Sequence, residues 1–465
     1  MSPSPPQRPG LSLALLALAQ LVFALDLNIV FVALPDIGAD LGFTGQTQQW
    51  VVSAYVVVAG GFLLLGGRAA DLLGRRRVFV LALLLYAASS LAGGLATTPG
   101  VIVVARAVQG LGGALLLPST LSLLNNLFEE GPRRNRALAV WGGAGASGLT
   151  VGALLGGVLT ESFGWPAVFF VNVPLAGAVA VAALLVIPAD PRGRERRRFD
   201  LPGALTVTGG ATLLVFVLVQ APEVGWPAPE IVTAAALAVV LLLGFVLIEQ
   251  RSADPLMPFR LLRNRSLLVG VSVTALFMGT FGALPYFLTV LLHTVHGFSP
   301  LAAGLAFLVP SLAIALGTQL GERLTTRLGT RTTLLAGFGV GVVGTVALAF
   351  GFTAGSAFGA AVPGLVVSGV GQGVVWTAMW IAAASGVAPH EQGVASGLAS
   401  TTLNLGNAVG LAVLIAVANS SGAPASDGGF VAVLLTAVGM AAGLVVALAL
   451  PRGASAPVER RPEPV

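Results

Sequence analysis

Cysteine and lysine are both absent, and histidine and tyrosine occur three times each in 465 residues. Without cysteine there is no disulfide, no thiolate nucleophile and no thiolate metal site. Without lysine there is no phosphate-binding Gly-Lys loop, so an ATP-driven pump is not expected. Charge is scarce as well: 9% of residues are charged, against roughly 25% in soluble domains. What fills the chain instead is apolar: 56% of residues are hydrophobic and the mean hydropathy is +0.92. No soluble domain hides that much apolar surface, so the composition implies an all-α polytopic membrane protein whose first partner is the lipid bilayer. The 61 glycines suit helices that pack closely in lipid.

All 24 basic residues are arginine, and the formal net charge is +5. That excess does not point to nucleic acid, because the arginines follow topology. Apolar runs cover approximately 11–34, 48–67, 78–96, 99–121, 137–160, 166–187, 203–220, 231–248, 267–292, 301–320, 332–351, 359–385, 393–418 and 429–450. These are fourteen predicted spans, which puts both termini on one side. Alternate loops hold Arg75–Arg77, Arg133–Arg136, Arg192–Arg198, Arg251–Arg265 and Arg323–Arg331; the loops between them hold no arginine. By the positive-inside rule the arginine-bearing loops and both termini are cytoplasmic. The arginines of 192–198 read as a topology anchor near anionic lipid.

A weak internal repeat runs through the chain. Gly66, Leu73, Gly74 and Arg76 match Gly321, Leu328, Gly329 and Arg331, each 255 residues on, and Gly152 and Gly156 match Gly406 and Gly410, 254 on. The expected organisation is a disordered N-terminus (1–10), a six-helix bundle (11–187), linkers with two inserted helices near 203–220 and 231–248 (188–266), a second six-helix bundle (267–450) and a cytoplasmic tail (451–465).

Four stretches carry the specific signals. Between spans two and three lies Gly67-Arg-Ala-Ala-Asp71-Leu-Leu-Gly74-Arg75-Arg76-Arg77, read as a short cytoplasmic turn whose glycines permit tight turning and close helix approach. Its Asp71 suits a helix N-terminus or an arginine partner. The others are Leu25-Asp26-Leu-Asn28-Ile-Val-Phe-Val-Ala-Leu34-Pro35, Arg106-Ala-Val-Gln109-Gly110-Leu-Gly112 and Trp165-Pro-Ala-Val-Phe-Phe-Val-Asn172-Val-Pro174. Together these resemble the major facilitator superfamily, and within it the fourteen-span drug:proton antiporter branch. The resemblance implies that fold, a gating role for Gly67, Asp71, Gly74, Arg75 and Arg76, and a part in proton coupling for the carboxylate at Asp26. One departure stands out. The branch's span-five signature has a Gly-Pro pair where this chain reads Gly152-Ala153. The small face of Gly148, Gly152, Gly156 and Gly157 remains and predicts close helix packing.

Asp26 lies eight residues before Leu34 and Arg106 seven residues into span four, which places both roughly 10–12 Å below the outer face. A charge at that depth costs at least about 2.5 kcal/mol, so each calls for a partner or a use, and the matching depth predicts that they interact. Arginine stays charged, so Asp26 is the group that can exchange a proton. A static ion pair and direct substrate contact are the alternatives. Candidate cavity residues are Asn28, Gln109, Phe277, Met278, Tyr286, Gln372, Trp376, Trp380, Asn404 and Asn407, with ordinary helix packing as the competing account of each. His293, His296 and His390 form no metal site on this reading.

The expected function is proton-coupled export by alternating access of hydrophobic or amphiphilic small molecules, drugs or antibiotics among them. Export of one metabolite or lipid is the alternative. One buried acid and one buried base suggest neutral or singly charged substrates. No catalytic set occupies the spans, so an enzyme is not expected. No cofactor is expected beyond the coupling proton, and the unit is expected to work as a monomer. The lysine-free, Ala-, Gly- and Arg-rich composition suggests a bacterial inner membrane.

Overall fold

The computed structural model describes residues 9–43, 48, 50–189, 200–252, 255–292, 296–298, 300–352, 357–420 and 425–451. The arginine cluster Arg192–Arg198 and His293 lie outside the described residues. Among those described, fourteen helices are long and apolar enough to cross a membrane. In chain order they are α1 (Pro9–Leu41), α2 (Trp50–Leu73), α3 (Arg75–Gly94), α4 (Pro99–Leu127), α5 (Pro132–Phe163), α6 (Ala167–Val186), α7 (Leu201–Ala221), α8 (Pro229–Arg251), α9 (Arg265–Val290), α10 (Ala302–Leu328), α11 (Thr330–Ala349), α12 (Phe358–Ala384), α13 (Pro389–Ile415) and α14 (Gly428–Ala447).

Local chemistry sets the helix ends. Proline opens α4, α5 and α8, where its missing N–H costs nothing. Asp200 caps α7 by accepting from the Gly203 N–H, and Asn264 caps α9 by accepting from Ser266 and Leu267. Gly74 (φ 107°) and Gly329 (φ 81°) each turn the chain within one residue, the same turn at matching places in the repeat.

Two expectations about boundaries need correction. The first span does not stop at residue 34: Pro35 sits inside α1, which continues to Leu41. The depth of Asp26 therefore cannot be counted from Leu34. Likewise the stretch after Gly67 is not a turn: α2 runs on to Leu73, and only Gly74 breaks the helix.

Packing repeats along the chain. The α1 helix packs on α4, α5 and α6, α2 on α4, and α3 on α4 and α6. Eight helices later, α9 packs on α12, α13 and α14, α10 on α12, and α11 on α12 and α14. Contacts between these sets are also paired: α2 with α13 and α5 with α10, then α4 with α13 and α5 with α12. The α7 and α8 helices pack on each other, and α7 lies along α2. Within α9 a 3-10 turn at Phe281–Ala283 precedes Pro285, a residue that cannot donate to the helical ladder.

Candidate functional site

The deepest polar feature is built from α1, α2, α3, α4 and the start of α6. Asp26 is 0% exposed and Arg106 is 1% exposed; the guanidinium Nη1 lies 2.7 Å from Asp26 Oδ2. Arg106 Nε donates to the Val51 carbonyl at 2.9 Å and Nη1 donates also to Gln109 Oε1 at 2.8 Å. Its guanidinium carbon sits 4.5 Å from the Tyr55 ring centroid, a cation–π arrangement. The second carboxylate oxygen, Asp26 Oδ1, accepts from Gln109 Nε2 at 2.9 Å and from Asn172 Nδ2 at 2.7 Å. Gln109 Nε2 also donates to Ser90 Oγ at 2.8 Å. Both charges are thus paired and hydrogen-bonded, the condition under which burial is tolerated.

Sequence reading missed Asn172, Ser90 and Tyr55 as members of this site. Asn172 lay inside a quoted motif, but nothing local tied it to Asp26. Gln109 was assigned to the substrate cavity; it is 1% exposed and belongs to the ion-pair network instead. The α5 glycines explain how α1 is held at this spot. A Cβ at Gly148 would lie 2.8 Å from the Leu21 carbonyl oxygen, at Gly152 2.4 Å from that of Leu25, and at Gly156 2.9 Å from that of Ile29. Only glycine permits that approach. Gly406 and Gly410 do the same for α13 against Ala275 and Gly279 of α9. Gly157 takes no part, since a Cβ there would meet nothing within 4 Å.

The second feature lies at the cytoplasmic ends of the helices, as the arginine pattern orients them. Asp71 is 6% exposed. It accepts from the backbone N–H groups of Gly393 (3.1 Å) and Val394 (2.9 Å) at the start of α13, where the helix dipole favours a carboxylate. Arg75 Nη2 is 3.3 Å from Asp71 Oδ1, Arg75 Nε donates to Ser122 Oγ at 2.8 Å, and Nη2 also donates to the Pro389 carbonyl. Gly67 makes room for the α13 backbone: a Cβ there would lie 2.2 Å from the Gly393 oxygen. Arg76 donates to the Leu184 carbonyl of α6. The 255-residue repeat puts Thr326 opposite Asp71, and there the contact is neutral: Asn135 Nδ2 donates to Thr326 Oγ1 at 3.2 Å.

The aromatic candidates divide. Trp376 and Trp380 meet Trp141 of α5, with ring centroids 6.3 Å and 5.5 Å away, and Phe277 meets Trp376 at 5.5 Å. The indole N–H groups of Trp141, Trp376 and Trp380 have no hydrogen-bond partner. Met278 lies against Gly282, as does Asn407 Oδ1 from α13. Tyr286 is 43% exposed and packs edge-on to Phe287. Asn404 donates to the Ser400 carbonyl of its own helix at 3.0 Å, and Asn28 and Gln372 are half-buried. The expectation of one buried acid fails: besides Asp26, Asp71 and Glu249 (4% exposed) are buried within helices.

Known proteins resemble the chain throughout its length. The family model described as Major Facilitator Superfamily matches residues 16–411. The cephamycin export protein CmcT of Amycolatopsis lactamdurans is 38% identical over 424 residues, covering 89% of this chain and 86% of that protein. The puromycin resistance protein pur8 of Streptomyces alboniger is 35% identical, covering 91% and 84%. Among solved structures, the human organic anion transporter MFSD10 superposes with a TM-score of 0.70 at 18% identity, over 96% of this chain and 100% of that one.

Proposed function

The chain belongs to the Major Facilitator Superfamily, a family of multi-pass membrane transporters and not of enzymes, and on that premise we propose that it exports lipophilic small molecules of the antibiotic kind, driven by protons. The names of the two bacterial relatives, one a cephamycin exporter and the other a puromycin resistance protein, support the export reading. We place it in a bacterial inner membrane, as a monomer, with neutral or singly charged cargo and no cofactor.

In this reading residues 11–187 and 267–450 are two bundles that rock about the contacts α2–α13 and α5–α10, with 188–266 inserted between them. The repeated packing supports that division, because each helix pair of one set recurs in the other. The Asp71 clamp on α13 holds the cytoplasmic ends together. The cluster of Trp141, Trp376, Trp380 and Phe277 closes the path between α5, α9 and α12, and its three unpartnered indole donors suit a cargo with acceptor atoms.

One observation carries the coupling: Asp26 is fully buried, with both oxygens engaged by Arg106, Gln109 and Asn172. A proton added to either oxygen turns an acceptor into a donor. At least one of those three partners must then let go, and with it the hold of α1 on α4 or α6 changes. Proton binding and rearrangement become one event, and the reciprocal linkage lets cargo release the proton. The test is transport in proteoliposomes under an imposed proton gradient. Asp26→Asn is expected to abolish uphill export while leaving the protein folded; uphill export that survives in Asp26→Asn refutes the coupling role.

A further inference from the structure

The inserted helices have no role in the reading above, and they carry the least explained chemistry in the molecule. Between α2 and α7 lies a cavity of about 450 Å³, within the usual range of ligand pockets (about 300–1,000 Å³). Phe62 and Leu65 of α2 and Leu201, Leu205, Thr208 and Thr212 of α7 line it. Leu201 and Leu205 are 55% and 65% exposed, so its mouth opens on the outer face of the bundle, where lipid tails lie. Helical threonines usually donate to a carbonyl one turn back, as Thr206 does to Pro202 at 2.8 Å. Thr208 and Thr212 do not: both hydroxyls are buried without a partner, and Thr208 is 8% exposed.

Two half-used carboxylates sit at the cytoplasmic ends of the inserted helices, one at the start of α7 and one at the end of α8. Asp200 precedes Leu201; its Oδ1 accepts from the Gly203 N–H at 2.9 Å, and its Oδ2 is buried without a partner. Glu249, in the last turn of α8, is 4% exposed. Its Oε1 accepts from the Met257 N–H at 2.5 Å, and its Oε2 is likewise buried and unpartnered. Among the described residues, Asp200 and Arg68 of α2 act electrostatically on Glu249. Among those residues, these two acids and one base sum to a net charge of −1.

The geometry points to a binding site for a monocationic amphiphile that enters from the cytoplasmic leaflet. Its tail lies between α2 and α7, and its ammonium is held by Glu249 Oε2 and Asp200 Oδ2. The site is separate from the Asp26 network; α7 forms one wall of it and α8 supplies Glu249. As a first station for cargo it rests on the export reading; as a binding site it does not.

The test is binding, not transport. The full chain is placed in phosphatidylcholine nanodiscs with dodecylamine carrying a diazirine at its tail end, or with the matching dodecanol probe. After photolysis, labelled peptides are mapped by mass spectrometry. Labelling by the amine is expected within 62–65 and 201–213, and Glu249→Gln is expected to reduce it about tenfold, as loss of a charged hydrogen-bond acceptor should, with the alcohol signal unchanged. That unchanged alcohol signal also reports an intact groove. Thr208→Leu, which fills the cavity and removes the stranded hydroxyl, is expected to suppress both probes. Equal amine labelling in Glu249→Gln and wild type overturns the assignment, as does undiminished labelling in Thr208→Leu. If phosphatidylethanolamine in the nanodisc displaces the amine probe while amphiphilic amines of the cargo class do not, the occupant is a lipid and the cargo assignment falls. Failure of proton-driven export with these labelling results intact counts against the export reading and leaves the site standing.

Discussion

Asn172 donates a 2.7 Å hydrogen bond to Asp26 Oδ1 across 146 residues of sequence, fastening the start of α6 to the middle of α1. A charge-assisted hydrogen bond of this kind contributes about 1.5–3 kcal/mol. Asn172→Ala is expected to slow proton-driven transport by about tenfold or more, with downhill counterflow of the same cargo less affected. The comparison of the two fluxes in one liposome preparation checks it. Equal loss in both assigns Asn172 to stability alone.

Arg106 reaches Val51, Asp26 and Gln109 at once while lying over Tyr55. Lysine has a single ammonium and no planar fork, so Arg106→Lys is expected to lose transport. Arg106→Ala leaves Asp26 buried and unpaired, a cost of about 3–5 kcal/mol. The double change Asp26→Asn with Arg106→Gln removes both charges and is expected to melt above Arg106→Ala in detergent, though inactive. Melting followed by light scattering decides it, and a double variant no more stable than the single would refute the account.

Gly152 faces the Leu25 carbonyl so closely that a methyl group would lie 2.4 Å from its oxygen. Because that atom is backbone, α1 has to move away rather than a side chain rotate. Gly152→Ala is expected to lower thermal stability by about 1–3 kcal/mol and to impair transport by displacing Asp26. Gly157→Ala, where nothing lies within 4 Å, is the control and is expected to match wild type in both assays.

The chain contains no cysteine, so a single introduced thiol reports accessibility without background. Ser396 on α13 is 5% exposed, just beyond the N–H groups that Asp71 caps. In a Ser396→Cys background, Asp71→Ala is expected to raise the rate of maleimide labelling from the cytoplasmic side severalfold, since the clamp no longer biases the closed arrangement. An unchanged rate rejects a clamping role for Asp71.

Much of this was legible from residue order alone. Hydrophobic length and arginine spacing yield fourteen helices, because a bilayer admits only long apolar helices and retains arginine on one side. The matched depth of Asp26 and Arg106 foretold their contact, although the helix end used to count it was wrong. The glycine ladder of α5 was visible as spacing, since small residues one turn apart can serve only a close neighbour.

Sequence by itself determined the class of molecule, its helices and the two charges that must find each other, because lipid penalises any unpaired charge wherever the chain places it. Only the tertiary structure decided who else joins them. Asn172 reaches Asp26, Tyr55 reaches Arg106 and Ser90 reaches Gln109, each from another helix, and contacts across helices leave no periodic trace in the order of residues. The same holds for Asp71 on the α13 N-terminus, and for Glu249 and Asp200, where burial and a stranded oxygen exist only once α8 has packed on α7 and α7 on α2.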